Sequence, residues 1–375
     1  MSDPVVAPGF GAVADAFFRT IPDDDSSGAA MSVWIDGVPV IELWGGVADA
    51  RTGRPFGFDT LSVIFSCTKG LASVLIAMLI ERGTIPSLES PVVNLWPEFG
   101  AYGKEVVTIG DALAHRAGLS APRRELSLED ALDDLTVADV LAEQMPLWPP
   151  GEHHQYHTVT HGAITSKLVR LAAGQSISGC FDVYIAGPLQ AAAWIGLPES
   201  EEHRVSRLVE DPSPPEALTG DPESIYWSER AGNFLGGITP QSFNSRPLHA
   251  AELAAVSGIA SASGLAKIWS ATVTPTDGVR LISDDMVKAL REPRSVGVPR
   301  FVTGPPPYQA WGAGVMIPSD WQPYLSPTSF GHDGAGGQVA FADSDAKLGF
   351  AYLTNEMGDW SRGISVIEAL ARAMT

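Results

Sequence analysis

Apolar residues recur at helical spacing over residues 7–20, then give way to two strand-like runs, Ala29–Trp34 and Val38–Trp44. These runs are apolar and β-branched and flank a turn containing Asp36-Gly37, a strong hairpin signal. Gly45-Gly46 closes the unit. From Ser66 to Arg82, the positions Leu71, Val74, Leu75, Met78 and Leu79 predict a helix, and Gly83 marks its end. Further helical segments, joined by Pro-rich connections, are expected at 108–116, 127–144, 158–174 and 248–271. The stretch 205–246 is polar and irregular, carries Tyr226, Trp227 and Phe234, and reads as a loop over a site. Strand character returns at Trp311–Ile317, Gly337–Asp343 and Leu348–Thr354, and after a turn at Gly358-Asp359 a last helix is expected from Ser361 to Met374.

Strands at both ends with helices between them predict an α/β (α+β) architecture. One domain is expected from 1–85 with 248–375, and a mostly helical domain, 86–247, is inserted with the active site in the cleft between them. With 375 residues, 45% of them hydrophobic, the chain can bury a large core. A net charge of −20 argues against nucleic acid and against an anionic membrane surface, since both demand clustered Lys and Arg. The longest strongly apolar stretch, Leu71–Ile80, is too short to span a bilayer. The first twenty residues lack the basic start and apolar core of a signal peptide, so a cytoplasmic location is expected. Cys67 and Cys180 are the only cysteines and imply no disulfide framework.

Candidate chemistry begins at Ser66-Cys67-Thr68-Lys69, where a strand-like run passes into a helix. Residues three apart share a helix face, so the hydroxyl and the amine can meet. A serine hydroxyl needs a base to become a nucleophile. At a helix N-terminus, free backbone N–H groups favour an oxyanion and the dipole disfavours an ammonium. The spacing alone is weak, because Ser344-Asp-Ala-Lys347 repeats it and thereby uses two of six lysines. That second copy sits between strands in a charged turn and reads as a solvated hairpin end. Two downstream features add to the first copy: Tyr156-His157-Thr158 after the Pro150-Gly151 turn, and the Gly-rich run Gly331-His332-Asp333-Gly334-Ala335-Gly336-Gly337.

Ser-x-x-Lys, Tyr-x-Thr and His-x-Gly in this order resemble the serine β-lactamase and penicillin-binding-protein superfamily, above all its class C-like branch with the family VIII carboxylesterases. The likeness extends over Trp44-Gly45-Gly46 and Leu113-Ala-His115-Arg-Ala-Gly118-Leu119, and hence over nearly the whole chain. The chrysanthemate-ester hydrolases are the characterised type it suggests. The resemblance implies a β-lactamase/transpeptidase-like fold and a nucleophilic Ser66 that forms an acyl-enzyme. It implies Lys69 as general base or as the holder of the local charge, and Tyr156, its pKa lowered by Lys69, as the alternative base and the acid for the leaving alkoxide. It places the oxyanion hole at the backbone N–H groups of Ser66 and Ala335, and substrate contacts at His332, Gly334 and Thr158. No cofactor, metal or macromolecular partner is implied, and the oligomeric state is left open.

Departures from the pattern narrow the substrate. Thr158 stands where lactamases and peptidases of this branch carry an asparagine, and it cannot offer both amide donor and carbonyl acceptor. His332-Asp333-Gly334 replaces Lys-Thr-Gly, and a neutral imidazole beside a carboxylate suits an anionic β-lactam poorly. Small, uncharged carboxylic esters are the expected substrates; a β-lactamase or D-Ala-D-Ala peptidase is the alternative, and a non-catalytic binding protein of this fold a more remote one. The Gly-x-Ser-x-Gly elbow of α/β-hydrolases is absent. His153, His157 and His161 invite a metal reading, but Pro149, Pro150 and Gly151 put His153 at a turn. Cys67 reads as a small apolar filler.

Overall fold

The computed structural model describes residues 3–210, 217–233 and 238–375. Phe234 lies outside them. Gly28–Ile35 and Val38–Asp49 form the expected hairpin, with Ile35 opposite Val38 across Asp36-Gly37. Both turn residues have positive φ, 49° and 77°, as a two-residue type I′ turn demands. This hairpin joins a nine-stranded sheet whose main path is antiparallel throughout. Its order is Val5–Val6, Val38–Asp49, Gly28–Ile35, Leu348–Thr354, Gln338–Asp343, Ser329–Gly334, Met316–Ile317 and Ala310–Trp311, with Arg54–Pro55 paired beside Val38–Asp49. The two ends of the chain therefore meet in the middle of one sheet. Helices Gly11–Phe18 and Ser361–Ala373 pack against each other near it, and Ala262–Val273 packs against its central strands. A second, three-stranded sheet pairs Ser62–Val63 and Ala193–Ile195 with Gly258–Ala260.

The helix Cys67–Glu81 is buried along its length from Cys67 to Leu79, not on one face alone. A helix apolar on all sides belongs in a core, and this one packs on the strand Ser329–Gly334 and on the helix Thr160–Ala173. Ser344-Asp-Ala-Lys347 is the hairpin end joining Gln338–Asp343 to Leu348–Thr354, with Lys347 paired to Asp36.

Several predicted elements are corrected. The expected helix 248–271 is a short helix Arg246–Ala250, a connection with a turn at 254–256, the strand Gly258–Ala260 and the helix Ala262–Val273. Its alanine-rich composition suits a helix, but Ser261 caps the last piece by accepting from the Gly264 N–H at 3.1 Å. Residues 127–144 divide into Leu128–Ala131 and Asp134–Glu143, because Asp133 caps the second by accepting from the Leu135 N–H. The segment 108–116 keeps helix only over Ile109–Leu113, ending before His115 at φ 65°. Trp311–Ile317 is not one strand: Ala310–Trp311 and Met316–Ile317 pair with each other around Gly312–Val315, with Gly314 at φ 77°. Within 205–246 lies the helix Pro222–Asn233, opened by Asp221, whose carboxylate accepts from the N–H groups of Glu223 and Ser224.

Candidate active site

Ser66 sits where the three-stranded sheet turns into the buried helix. The turn is sharp: Phe65 takes φ 45°, a left-handed conformation that costs a bulky residue on the order of 1–3 kcal/mol. Thr68 Oγ1 steadies it by donating to the Phe65 carbonyl at 2.5 Å and accepting from the Gly258 N–H at 2.9 Å. Phe65 itself is wedged edge-on against Phe243, their ring centroids 5.1 Å apart. This geometry leaves Ser66 partly open to solvent, while Lys69, one turn along, is fully enclosed.

Lys69 Nζ lies 3.0 Å from Ser66 Oγ and 3.0 Å from the Ala255 carbonyl oxygen. Burial holds its ammonium well below the ordinary lysine range, against weaker opposing effects of Cys67 and Asp134. The Tyr156 ring centroid is 4.8 Å from Lys69 Nζ. The expectation of a lowered Tyr156 pKa is corrected. Burial pushes the phenol well above its ordinary value, only partly offset by the Ser66 hydroxyl.

The far wall is the strand Ser329–Gly334. Cys67 Sγ donates to the His332 carbonyl at 3.0 Å, fastening the start of the helix to this strand. A Cβ at Gly334 would stand 2.4 Å from the Ile64 carbonyl oxygen, so only glycine lets the strand end rest on the Ser66 turn. Ala335, the next residue, is exposed beside that contact. Among the described residues the Ser66 N–H has no backbone partner outside regular elements. His332 is only 1% exposed; its Nδ1 donates to the Asp333 carbonyl and its Nε2 has no protein partner among the described residues. Burial brings its pKa down to about 3, so the imidazole is neutral. Thr158 is half-buried and makes no side-chain hydrogen bond among the described residues. Cys67 is fully buried, and burial raises its thiol well above the ordinary range, which removes it as a nucleophile.

Aromatic and imidazole side chains complete the surroundings. Trp311 stacks on Tyr156 at 5.1 Å between centroids and 10° between planes, and His115 meets Trp311 edge-on at 4.6 Å. His115, His157 and His161 gather behind Tyr156, all kept neutral by burial. His153 is exposed and separate from them, and no metal-binding group of three or more His, Cys, Asp or Glu occurs among the described residues. A pocket of about 220 Å³ opens beside Tyr156 and Trp311, walled by Phe301, Tyr308, Pro307 and Trp321. Trp227 stacks on the outside of Phe301 and so braces that wall, whereas Tyr226 is exposed.

The beta-lactamase family model matches residues 14–373. The chain belongs to the beta-lactamase family. Its fold is the β-lactamase/transpeptidase-like one, an antiparallel sheet with many helices. Three relatives locate it further. It is 31% identical over 362 residues to the esterase/beta-lactamase LipL of Mycobacterium tuberculosis, a match spanning 93% of this chain and 82% of that protein. A family VIII carboxylesterase structure superposes with a TM-score of 0.88 at 32% identity, covering 99% of each chain. A penicillin-binding-protein homologue from Caulobacter crescentus superposes equally well, with a TM-score of 0.88 at 32% identity over 99% of this chain and 100% of its own.

For a member of the beta-lactamase family, the sequence disclosed the side chains spaced along the motifs but not those brought in by folding. His115 lies within a stretch already noted for its likeness to the family, and its positive φ is a signal only coordinates carry. The Ala255 carbonyl is a backbone atom and has no sequence signal at all.

Proposed function

We propose that this protein is a carboxylesterase that hydrolyses small, uncharged esters through an acyl-enzyme on Ser66. The observation that carries the reading is the enclosed Lys69 amine, 3.0 Å from Ser66 Oγ, whose hold on a proton is weakened by burial. The esterase names of the relatives support the same reading. Lys69 takes the Ser66 proton as Oγ attacks the ester carbonyl. The developing oxyanion is received by the N–H groups of Ser66 and Ala335, each worth ~3 kcal/mol in comparable sites. Tyr156, protonated because it is buried, gives its proton to the leaving alkoxide and recovers one from the Lys69 ammonium. Water then attacks the acyl group, the acid leaves, and Oγ regains its proton. Gly334 holds the strand edge close to the turn, while His332 and Thr158 border the substrate.

The pocket beside Tyr156 and Trp311 mixes aromatic walls with polar side chains such as Gln155, Thr303 and Gln309, and no Asp, Glu, Lys or Arg lines it, which suits an uncharged organic group. On this reading the cleft runs between a domain of 1–85 with 248–375 and the helical insertion 86–247. A panel of p-nitrophenyl acetate and butyrate, nitrocefin and a D-Ala-D-Ala peptide tests the assignment. Efficient ester turnover with little or no nitrocefin or peptide hydrolysis is expected. A kcat/KM for nitrocefin above that for the esters makes the protein a β-lactamase instead, and no turnover of any of them leaves a binding protein.

A further inference from the structure

Asp134 is the second residue of an acidic pair at a helix start, where sequence alone sees only capping. Asp133 does the capping; Asp134, 6% exposed, turns inward. Its Oδ2 accepts from Ser166 Oγ at 2.8 Å and from the Ala254 N–H at 3.0 Å. Two peptide units further along, the Ala255 carbonyl oxygen lies 3.0 Å from Lys69 Nζ. Gly162, one helical turn before Ser166, lies under the same stretch: a Cβ there would come within 2.5 Å of the Ala255 N–H nitrogen. Two helices and a carboxylate thus fix one backbone segment, and that segment offers the enclosed amine its only backbone acceptor among the described residues.

We infer that Asp134 is a positioning residue for the ester-hydrolysis reaction: through the Ala254–Ala255 segment it sets where Lys69 Nζ stands relative to Ser66 Oγ. The inference rests on the proposed role of Lys69 as base. A base must lie within hydrogen-bond reach of the proton it takes, and small displacements are costly to rate. Releasing the segment lets the carbonyl withdraw, and the amine follows it or rotates away from Oγ. Burial raises the Asp134 carboxyl to about 7, so the uncharged acid is well populated near neutrality and an amide is its close mimic. Asparagine keeps an oxygen that accepts the same two hydrogen bonds; alanine does not.

The test compares D134A, D134N and S166A with the unmodified protein, using kcat and KM for p-nitrophenyl butyrate, the rate at which a fluorophosphonate labels Ser66, and thermal unfolding. D134A should lose about 10²-fold in kcat and in labelling rate with KM little changed, while D134N recovers most of that loss; S166A, which leaves the Ala254 bond in place, should lose far less. If D134A does not fold, D134N and S166A still decide: both must remain close to the unmodified protein. The inference is overturned if folded D134A keeps full kcat and labelling rate, or if folded D134N is as impaired as D134A. S66A and K69A serve as controls for the underlying reading. Should either retain esterase activity, that reading fails by itself; should both be inactive while D134A is fully active, only the role of Asp134 is lost.

Discussion

Enclosing Lys69 has a consequence for stability as well as for chemistry. The unfolded chain binds a proton at this lysine up to its ordinary value of 10.5, whereas the folded protein binds it only at much lower pH. Between those values the unfolded state carries more protons, so the contribution of Lys69 to stability rises as pH rises toward 10.5. Near neutrality it is a cost accepted for function. Lys69→Met should therefore raise Tm at pH 7, with the advantage shrinking by pH 10, while kcat falls by about 10²–10⁴-fold. A Tm at or below that of the unmodified protein at both pH values contradicts the account. The same residue bears on the proposed order of proton transfers. Burial pushes Tyr156 up and holds Lys69 down, which supports the proposal that the amine accepts the first proton.

At the scale of elements, the strand Ser329–Gly334 and the Ser66 turn meet through a glycine. Gly334→Ala should force them apart, because its Cβ would meet the Ile64 carbonyl at 2.4 Å. The expected result is a loss of roughly 10²-fold in kcat, comparable to removing one oxyanion donor, with circular dichroism unchanged. Full activity in that variant would place the oxyanion donors elsewhere. The strongly patterned elements were legible beforehand: the Asp36-Gly37 hairpin, the Ser66–Arg82 helix, the strands Gly337–Asp343 and Leu348–Thr354, and the final helix. Elements whose pattern is overruled by a single cap or glycine were not. Ser261 and Gly258 divide the region read as one helix, and Gly312 with Gly314 folds one expected strand into two. Likewise the motif side chains Ser66, Lys69 and Tyr156 could be named from spacing and resemblance. His115 and the Ala255 carbonyl enter only through packing between elements distant in sequence.

Across the whole molecule the net charge of −20 surrounds a cleft whose histidines are neutral. Such a field does not steer an uncharged ester but repels an anionic one, and salt screens it. Raising ionic strength should leave kcat/KM for p-nitrophenyl butyrate flat and raise it for an ester bearing a free carboxylate. A strong salt dependence for the neutral ester would show that charge, not pocket shape, governs binding. No helix among the described residues is long and apolar enough to cross a membrane. The large scale also explains why one of two Ser-x-x-Lys copies was favoured. Ser66 lies on the turn where the small sheet meets the buried helix, and Ser344 lies on an outer hairpin end. The decisive measurement is mass spectrometry of the protein inactivated by a p-nitrophenyl alkylphosphonate, followed by peptide mapping. The account predicts one adduct per chain, on Ser66, accumulating in step with loss of esterase activity and absent from S66A. An adduct on another residue that tracks inactivation, or undiminished activity once Ser66 is fully modified, would contradict it.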